Sequence, residues 1–228
     1  MDAELPRLDG PRIPPLSGAA RQLVVFLHGY GADGNDLIDI GYAWRSLLPD
    51  ATFASPDAPE PCAEMPIGRQ WFTIDRSNPA ARWNGVGSAT PILQHFLDDE
   101  LKRHNLPATA LALVGFSQGT MMALHVGLRR AVPPLAIVGY SGRLTAPNQT
   151  DFAAMSDDIR SRPPVLLIHG DMDEVVPPSS LELSAQGLGV LGIKAETHMS
   201  RGIGHGIDEE GLRLGGEFLA RAFAAARP

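Results

Sequence analysis

One serine in the sequence stands in a setting that suits nucleophilic catalysis. Ser117 is the centre of Gly115-Phe116-Ser117-Gln118-Gly119, a G-x-S-x-G sequence that follows five apolar residues and precedes a helical pattern. Such a strand-to-helix turn holds the serine in strained backbone geometry, and its glycines are needed because side chains there would collide. The pattern therefore predicts Ser117 as the nucleophile, with an ordinary turn as the alternative. Ser141, in Gly139-Tyr140-Ser141-Gly142-Arg143, lacks the second glycine, and we interpret it as a turn residue.

Downstream of this serine the chain supplies candidates for a base and an acid. A serine hydroxyl is a weak nucleophile and needs a base, which in turn needs a carboxylate to orient it. His205 lies in the glycine-rich loop Gly202-Ile203-Gly204-His205-Gly206, between the last predicted strand and the last predicted helix. Asp171, Asp173 and Glu174 follow the preceding strand, where the acid of a Ser-Asp-His chain order belongs. The order predicts His205 as the base, with a surface loop histidine as the alternative.

Two of these carboxylates compete for the role of the acid. Asp171 comes directly after His169-Gly170, where a short carboxylate typically accepts backbone N–H bonds and shapes the turn. Asp173 lies further along the loop, which can turn its side chain toward the imidazole. The positions favour Asp173.

Acyl transfer by a serine of this kind also needs two backbone N–H groups to bind the oxyanion. One should come from the residue after the nucleophile, which is Gln118, and one from the loop after an early strand. That loop is His28-Gly29-Tyr30-Gly31, whose glycines let the backbone approach the substrate oxygen. We predict the N–H of Tyr30 as the second donor; a side chain that merely lines or covers the pocket is the alternative.

The remaining histidines and the cysteine have simpler interpretations. His28 and His169 each close a strand before a glycine, which is typical of hydrogen-bonded structural residues. His198 ends a strand, and Cys62 lies in a loop far from the predicted nucleophile. No H-x-x-x-H or C-x-x-C spacing supports a zinc site, so we expect neither a metal nor a cofactor.

The elements that must position these residues alternate along the chain. Strands buried on both faces, each followed by a helix, predict an α/β fold with a mostly parallel central sheet and helices on both faces. Ligands bind such sheets beyond the carboxyl ends of the strands. Residues 1–20 contain four prolines and are predicted as an arm or short edge strands. The predicted strands are 23–27, 52–54, 110–114, 135–138, 165–168 and 194–198; the predicted helices are 36–48, 91–104, 120–130, 179–188 and 209–225.

Composition narrows the class of protein. A length of 228 residues with 44% hydrophobic content suits one α/β domain over residues 1–228. The net charge of -7, without a basic cluster, argues against nucleic acid and anionic membranes as partners. The single cysteine cannot form an internal disulfide. The start resembles no secretory signal, and no apolar run approaches the ~20 residues of a membrane span. We expect a cytoplasmic protein without stable membrane association.

Taken together, the motifs resemble those of bacterial phospholipase/carboxylesterase-type serine hydrolases, relatives of the acyl-protein thioesterases. The resemblance spans nearly the whole chain after the first twenty residues and implies the α/β-hydrolase fold. It rests on Leu27-His28-Gly29-Tyr30-Gly31, Ser55-Pro56-Asp57-Ala58-Pro59, Gln70-Trp71-Phe72, residues 115–119, residues 169–177 and Gly204-His205-Gly206.

The resemblance also implies roles for individual residues. Asp173 would be the triad acid, and Tyr30 and Gln118 would form the oxyanion hole. Trp71 falls in a segment that lines the active site in this family, with core packing as its alternative, and residues 71–83 would cover part of the site.

The resemblance implies hydrolysis of a small-molecule carboxylic ester through an acyl-enzyme but does not settle the acyl group, for which we expect short to medium chains. Thioesterase or lysophospholipase activity, or a non-catalytic binding module on the same fold, are the alternatives, and a homodimer is plausible for the fold.

Overall fold

The computed structural model describes residues 5–62, 64–75, 78, 80–148 and 150–226. Short 3₁₀ helices cover Ala108–Ala110 and Ala153–Asp158. The strands are β1 (Arg12–Ile13), β2 (Gln22–Leu27), β3 (Ala51–Ala54), β4 (Glu60–Pro61), β5 (Arg69–Gln70), β6 (Leu111–Phe116), β7 (Ala136–Tyr140), β8 (Val165–Gly170) and β9 (Ala195–Ser200). The helices are α1 (Asn35–Trp44), α2 (Ala81–Arg103), α3 (Gln118–Gly127), α4 (Ser179–Val190) and α5 (Glu209–Ala225).

Seven of these strands form one sheet in the order β1-β3-β2-β6-β7-β8-β9, and β4 pairs with β5 in a small separate hairpin. The strand β1 is antiparallel to β3, and the other neighbours in the large sheet run parallel. The predicted α/β fold with a mostly parallel central sheet is confirmed. Because the strands are parallel, the carboxyl ends of β2, β6, β8 and β9 meet at one edge.

Each face of the sheet carries its own apolar layer. Along β2, Leu23, Val25 and Leu27 pack into one layer. Val24 and Phe26 pack into the other. Residues of α2, α3 and α4 fill the first layer, and residues of α1 and α5 fill the second. Burial on both faces explains why the strands read as continuous apolar runs rather than as alternating ones.

The helix α2 begins ten residues earlier than the predicted 91–104, at Ala81. The sequence pattern predicts that the helix starts at Pro91, and the first helical position does favour proline. Inside a helix, proline leaves the carbonyl of residue i−4 without its N–H donor. Here that carbonyl belongs to Gly87, and both Gly87 and Pro91 are exposed, so water can serve the freed oxygen. The prediction was wrong because the proline lies on the solvent face.

The amino-terminal arm, from residue 5 on, lies against the sheet edge. Its strand β1 pairs with β3, as an edge strand should. The guanidinium of Arg12 donates to both carboxylate oxygens of Glu100, at 2.9 and 2.8 Å, and Glu100 is buried on α2. This bidentate pair fixes the arm to the first helical layer.

Candidate active site

Ser117 occupies a sharp turn between β6 and α3. Its backbone has φ 53° and ψ −112°, a left-handed conformation that L-residues rarely adopt and that costs about 1–3 kcal/mol. Its N–H donates to the carbonyl of Tyr140 at 2.9 Å. The strained serine therefore lies where β6 ends, with the first turn of a helix directly behind it.

The flanking glycines make this turn possible. A Cβ at Gly115 would overlap the carbonyl oxygen of Gly119, and a Cβ at Gly119 would overlap that of Leu27. A side chain at Gly115 would therefore clash across the turn, as the sequence predicts, and one at Gly119 would also clash with β2. Any side chain at Gly119 would separate the nucleophile turn from the neighbouring strand.

Asp173 and His205 form a close pair. Oδ2 of Asp173 accepts a hydrogen bond from Nδ1 of His205 at 2.7 Å, and Oδ1 accepts the N–H groups of Val175 and Val176 at 2.9 and 2.8 Å. Burial alone would raise the pKa of Asp173, but these hydrogen bonds, led by His205, outweigh burial and lower the pKa below its ordinary value. The carboxylate stays ionised, and in the neutral ring Nε2 of His205 is left as the acceptor.

The loops that carry this pair are tied to each other. Asp171 donates its N–H to the carbonyl of Ser200 at 3.0 Å, and Met172 donates to that of Ile203 at 2.9 Å. The carboxylate of Asp171 accepts the N–H of Gly202 at 2.7 Å. Asp171 therefore accepts a backbone N–H bond as expected, although from the opposite loop rather than from its own turn.

The loop of His205 packs against the nucleophile turn. The rings of His205 and Phe116 lie 4.9 Å apart between centroids, and Phe116 directly precedes Ser117. Ser141 Oγ donates to the carbonyl of Gly206 at 3.2 Å, and Ser141 is fully buried. The hydrogen bond from Ser141 thus fixes the loop that carries His205.

The two predicted oxyanion donors flank the same serine. A Cβ at Gly29 would lie 3.5 Å from Cβ of Ser117, so the loop that carries Tyr30 contacts the nucleophile. Gln118 is the first residue of α3, and N–H groups in a first helical turn lack intrahelical acceptors. The positive end of the helix dipole also lies at this point.

The side chain of Gln118 has a second use that the sequence did not indicate. Its Oε1 accepts the N–H of Trp71 at 2.9 Å, and its Nε2 donates to the carbonyl of Phe72 at 2.8 Å. This pair of bonds fixes the segment after β5 to the start of α3. The sequence carries no signal for these bonds, because they join residues 46 and 47 positions apart.

Trp71 lies behind the loop of residues 28–31 that carries Tyr30. Its side chain is 1% exposed, and its indole N–H donates to the carbonyl of His28 at 3.0 Å. His28 in turn donates from Nδ1 to Gly29 and accepts the N–H of Ala58 at Nε2, as a structural residue should. The geometry favours core packing for Trp71 over contact with substrate. Of the predicted covering segment 71–83, residues 76, 77 and 79 lie outside the described ones.

Two cavities open beside His205, of about 360 and 420 Å³. A larger cavity of about 650 Å³ lies elsewhere, near Arg21 and Pro107 at the amino ends of the strands, and its lining includes no histidine or carboxylate. The smaller of the pair is lined by Met172, Glu174, Val175, Gly202, Gly204 and His205, and the other by Asp36, Leu37, Ile40, Phe116, His205, Gly206, Ile207 and Leu212.

The described residues form neither a metal-binding cluster nor a membrane-spanning helix. None of their His, Cys, Asp and Glu side chains gather in groups of three or more that could hold a metal ion. Within the same ranges, no helix has the length and apolar character that a membrane crossing needs. Cys62 is a free, buried thiol.

Comparison with known proteins gives consistent results. The family model described as phospholipase/carboxylesterase matches residues 8–222. Esterase YpfH of Escherichia coli (strain K12) is 28% identical over 197 residues, which cover 86% of this chain and 80% of that protein. Acyl-protein thioesterase 1 homolog 1 of Dictyostelium discoideum is 28% identical over 209 residues, covering 87% and 89%. The crystal structure of esterase PE8 matches with a TM-score of 0.88 at 44% identity, covering 95% of this chain and 99% of that one.

Proposed function

Because the chain belongs to the phospholipase/carboxylesterase family, we propose that it is a serine carboxylesterase with Ser117, His205 and Asp173 as its catalytic triad. The observation that carries the proposal is the 2.7 Å hydrogen bond between His205 and the buried Asp173. The loop that carries His205 packs against the strained turn of Ser117. A histidine held in one tautomer beside a strained serine is the arrangement that acyl transfer requires.

The proposed reaction proceeds in two halves. Ser117 Oγ attacks the ester carbonyl while Nε2 of His205 takes its proton, and the N–H groups of Tyr30 and Gln118 stabilise the oxyanion. His205 then protonates the leaving alcohol, and the acyl group stays on Ser117. A water activated by His205 hydrolyses this acyl-enzyme. Asp173 remains ionised throughout and stabilises the imidazolium that forms in each half.

A covalent probe tests the nucleophile. An alkyl fluorophosphonate should add one mass equivalent to Ser117 and abolish ester hydrolysis, and Ser117→Ala should take up no label. Ser141 should take up no label in the wild type, because it is fully buried and its hydroxyl is bonded to Gly206. Label on Ser141, or no label on any serine, would contradict the assignment.

Thioester hydrolysis is the second candidate, since several relatives at 25–28% identity are named acyl-protein thioesterases. A carboxylic ester and a thioester with the same acyl chain, compared by kcat/KM, would separate the two. We propose short to medium acyl chains, in keeping with cavities of about 360 and 420 Å³ beside His205. A series of 4-nitrophenyl esters of increasing chain length measures this preference.

A further inference from the structure

Arg143 lies at the edge of the proposed active site, although the mechanism does not use it. A Cβ at Gly142, the residue before it, would lie 2.7 Å from the carbonyl oxygen of Ser117 and would overlap Thr120. Ser141, one residue earlier, is bonded to Gly206 beside His205. The backbone that leads into Arg143 is therefore wedged between the nucleophile turn and the loop of the proposed base.

The charge of Arg143 lacks a dedicated partner in the described part of the chain. Its Nε is buried and makes no hydrogen bond, and the ion pairs found among the described residues do not include it. Burial, followed by the positive charge of Arg82, lowers the pKa of Arg143, and only the carboxylate of Asp173 offsets them. That carboxylate already accepts bonds from His205, Val175 and Val176.

Arg82 adds a second positive charge on the same side. It lies in the first turn of α2, where the helix dipole is also positive. Two guanidinium groups that repel each other, one of them partly buried, destabilise a folded protein unless an anion joins them. A planar guanidinium binds a carboxylate or phosphate through two parallel hydrogen bonds, and the two terminal nitrogens of Arg143 are the ones that can offer them, since its Nε is buried.

Building on the proposed esterase function, we propose that Arg143, assisted by Arg82, forms an anion subsite beside Ser117. The subsite selects esters that carry a carboxylate or a phosphate close to the scissile bond. The substrate anion takes the place of the counter-charge that the described chain does not provide. The chemistry proposed for Ser117 and His205 is unchanged, and Arg143 acts on substrate choice.

Matched ester pairs test the subsite on the folded protein. The first pair is 4-nitrophenyl valerate and 4-nitrophenyl hemiglutarate, which place a methyl or a carboxylate at the end of the acyl chain. The second pair is the valerate esters of 3-hydroxybenzamide and 3-hydroxybenzoate. The third pair is the valerate esters of glycerol and glycerol 3-phosphate. The second and third pairs place the anion on the alcohol side, as a carboxylate and a phosphate respectively.

In at least one pair, the wild type should favour the anionic ester, mainly through a lower KM. Arg143→Gln should lower kcat/KM for that ester by about 10- to 100-fold, the range for a lost hydrogen-bonded charge, and for its neutral partner by less than about 3-fold. Arg82→Gln should cause a smaller loss with the same selectivity. Arg143→Lys should retain part of the preference, because it keeps the charge but not the planar fork.

The matched control is Arg221→Gln, which removes an exposed charge paired with Glu196 and should change neither ester. Equal losses on both members of every pair, together with a lower thermal midpoint for Arg143→Gln, would mean that Arg143 only holds Asp173 in place. A wild type without preference in any pair would likewise overturn the subsite. If the wild type hydrolyses no ester at all, the proposed esterase function itself fails.

Discussion

At the scale of the residue, Asp173 is distinguished by using both of its oxygens. One accepts His205 and the other accepts two backbone N–H groups. In Asp173→Asn, either the amide NH₂ faces Nδ1 of His205 in place of the accepting oxygen, or it faces the N–H groups of Val175 and Val176 and their bonds are lost. We expect a folded protein with kcat lowered by about 10⁴, the loss typical of a wrong histidine tautomer. Steady-state kinetics measures the loss in kcat, and the thermal midpoint shows whether the variant is folded.

Asp171→Asn is the matched control for this change. Asp171 is exposed, and an asparagine oxygen can still accept the N–H of Gly202. We expect kcat near that of the wild type and a loss of less than about 1 kcal/mol in the free energy of unfolding. A folded but inactive Asp171→Asn would move the acid by two residues.

Side-chain roles were harder to predict than backbone positions. The G-x-S-x-G pattern predicts where Ser117 lies because that turn needs glycine on geometric grounds. The sequence left Trp71 open between lining the site and core packing. It gave no role to the side chain of Gln118, because its bonds to Trp71 and Phe72 join segments 47 and 46 residues apart. The role proposed for Arg143 could not come from the sequence, because a lone arginine carries no signal until its surroundings are known.

At the scale of the element, the nucleophile turn depends on the contact between α3 and β2. A Cβ at Gly119 would overlap the carbonyl of Leu27, which is backbone and cannot rotate away. We expect Gly119→Ala to lower the free energy of unfolding by more than about 2 kcal/mol and to abolish ester hydrolysis. Urea unfolding of the purified variant measures the free energy of unfolding. Fluorophosphonate labelling shows whether the turn still presents a reactive Ser117.

Gly87→Ala provides the opposite case within α2. A Cβ there meets nothing within 4 Å, and Gly87 is exposed in a helix. Alanine should raise the free energy of unfolding by about 0.5–1 kcal/mol and leave activity unchanged. If Gly119→Ala were as stable and active as Gly87→Ala, the described contact between the turn and β2 would be wrong.

Periodicity predicted most strands and helices because burial on both faces leaves long apolar runs. It failed at α2, where the exposure of Pro91 decides whether the helix continues, and exposure is a tertiary property. The hairpin β4–β5 was also missed, since its strands have two residues each, which is too short for a periodic pattern.

At the scale of the whole molecule, a buried histidine sets the response to acid. His125 lies between α3 and α2, with its ring centroid 5.1 Å from that of Trp83 and its Nδ1 unbonded among the described residues. Burial, then the charge of Arg129, lowers the pKa of His125 to about 3. The unfolded chain takes up this proton near pH 6.5, and the folded protein does so only near the lowered value.

The lowered pKa of His125 determines the direction in which stability changes with pH. Stability from neutral His125 is complete above about pH 6.5 and falls as the pH drops toward the folded pKa, by up to about 3 kcal/mol at pH 4. His125→Phe keeps an aromatic ring without a titrating group, so urea unfolding at pH 7, 5.5 and 4 should show a clearly weaker dependence. His28, whose pKa is also lowered by burial, leaves some dependence in place.

His95→Phe is the control for this measurement, since His95 is exposed on α2. It should keep the pH dependence of the wild type. The same slope in His125→Phe as in the wild type would show that His125 does not govern the acid response.

Backbone hydrogen bonds join the loop after β8 to the loop after β9. The proposed acid, Asp173, and the proposed base, His205, therefore depend on two loops that must change together in evolution. Asp171 and Met172 are bonded to Ser200 and Ile203, and a Cβ at Gly170 would overlap the carbonyl oxygens of Ile203 and Gly204. An insertion or deletion in one loop would shift it out of register with the other and separate Asp173 from His205. Across lineages, length changes in these two loops should therefore arise together. In chimaeras of divergent relatives, both loops should be taken from the same parent.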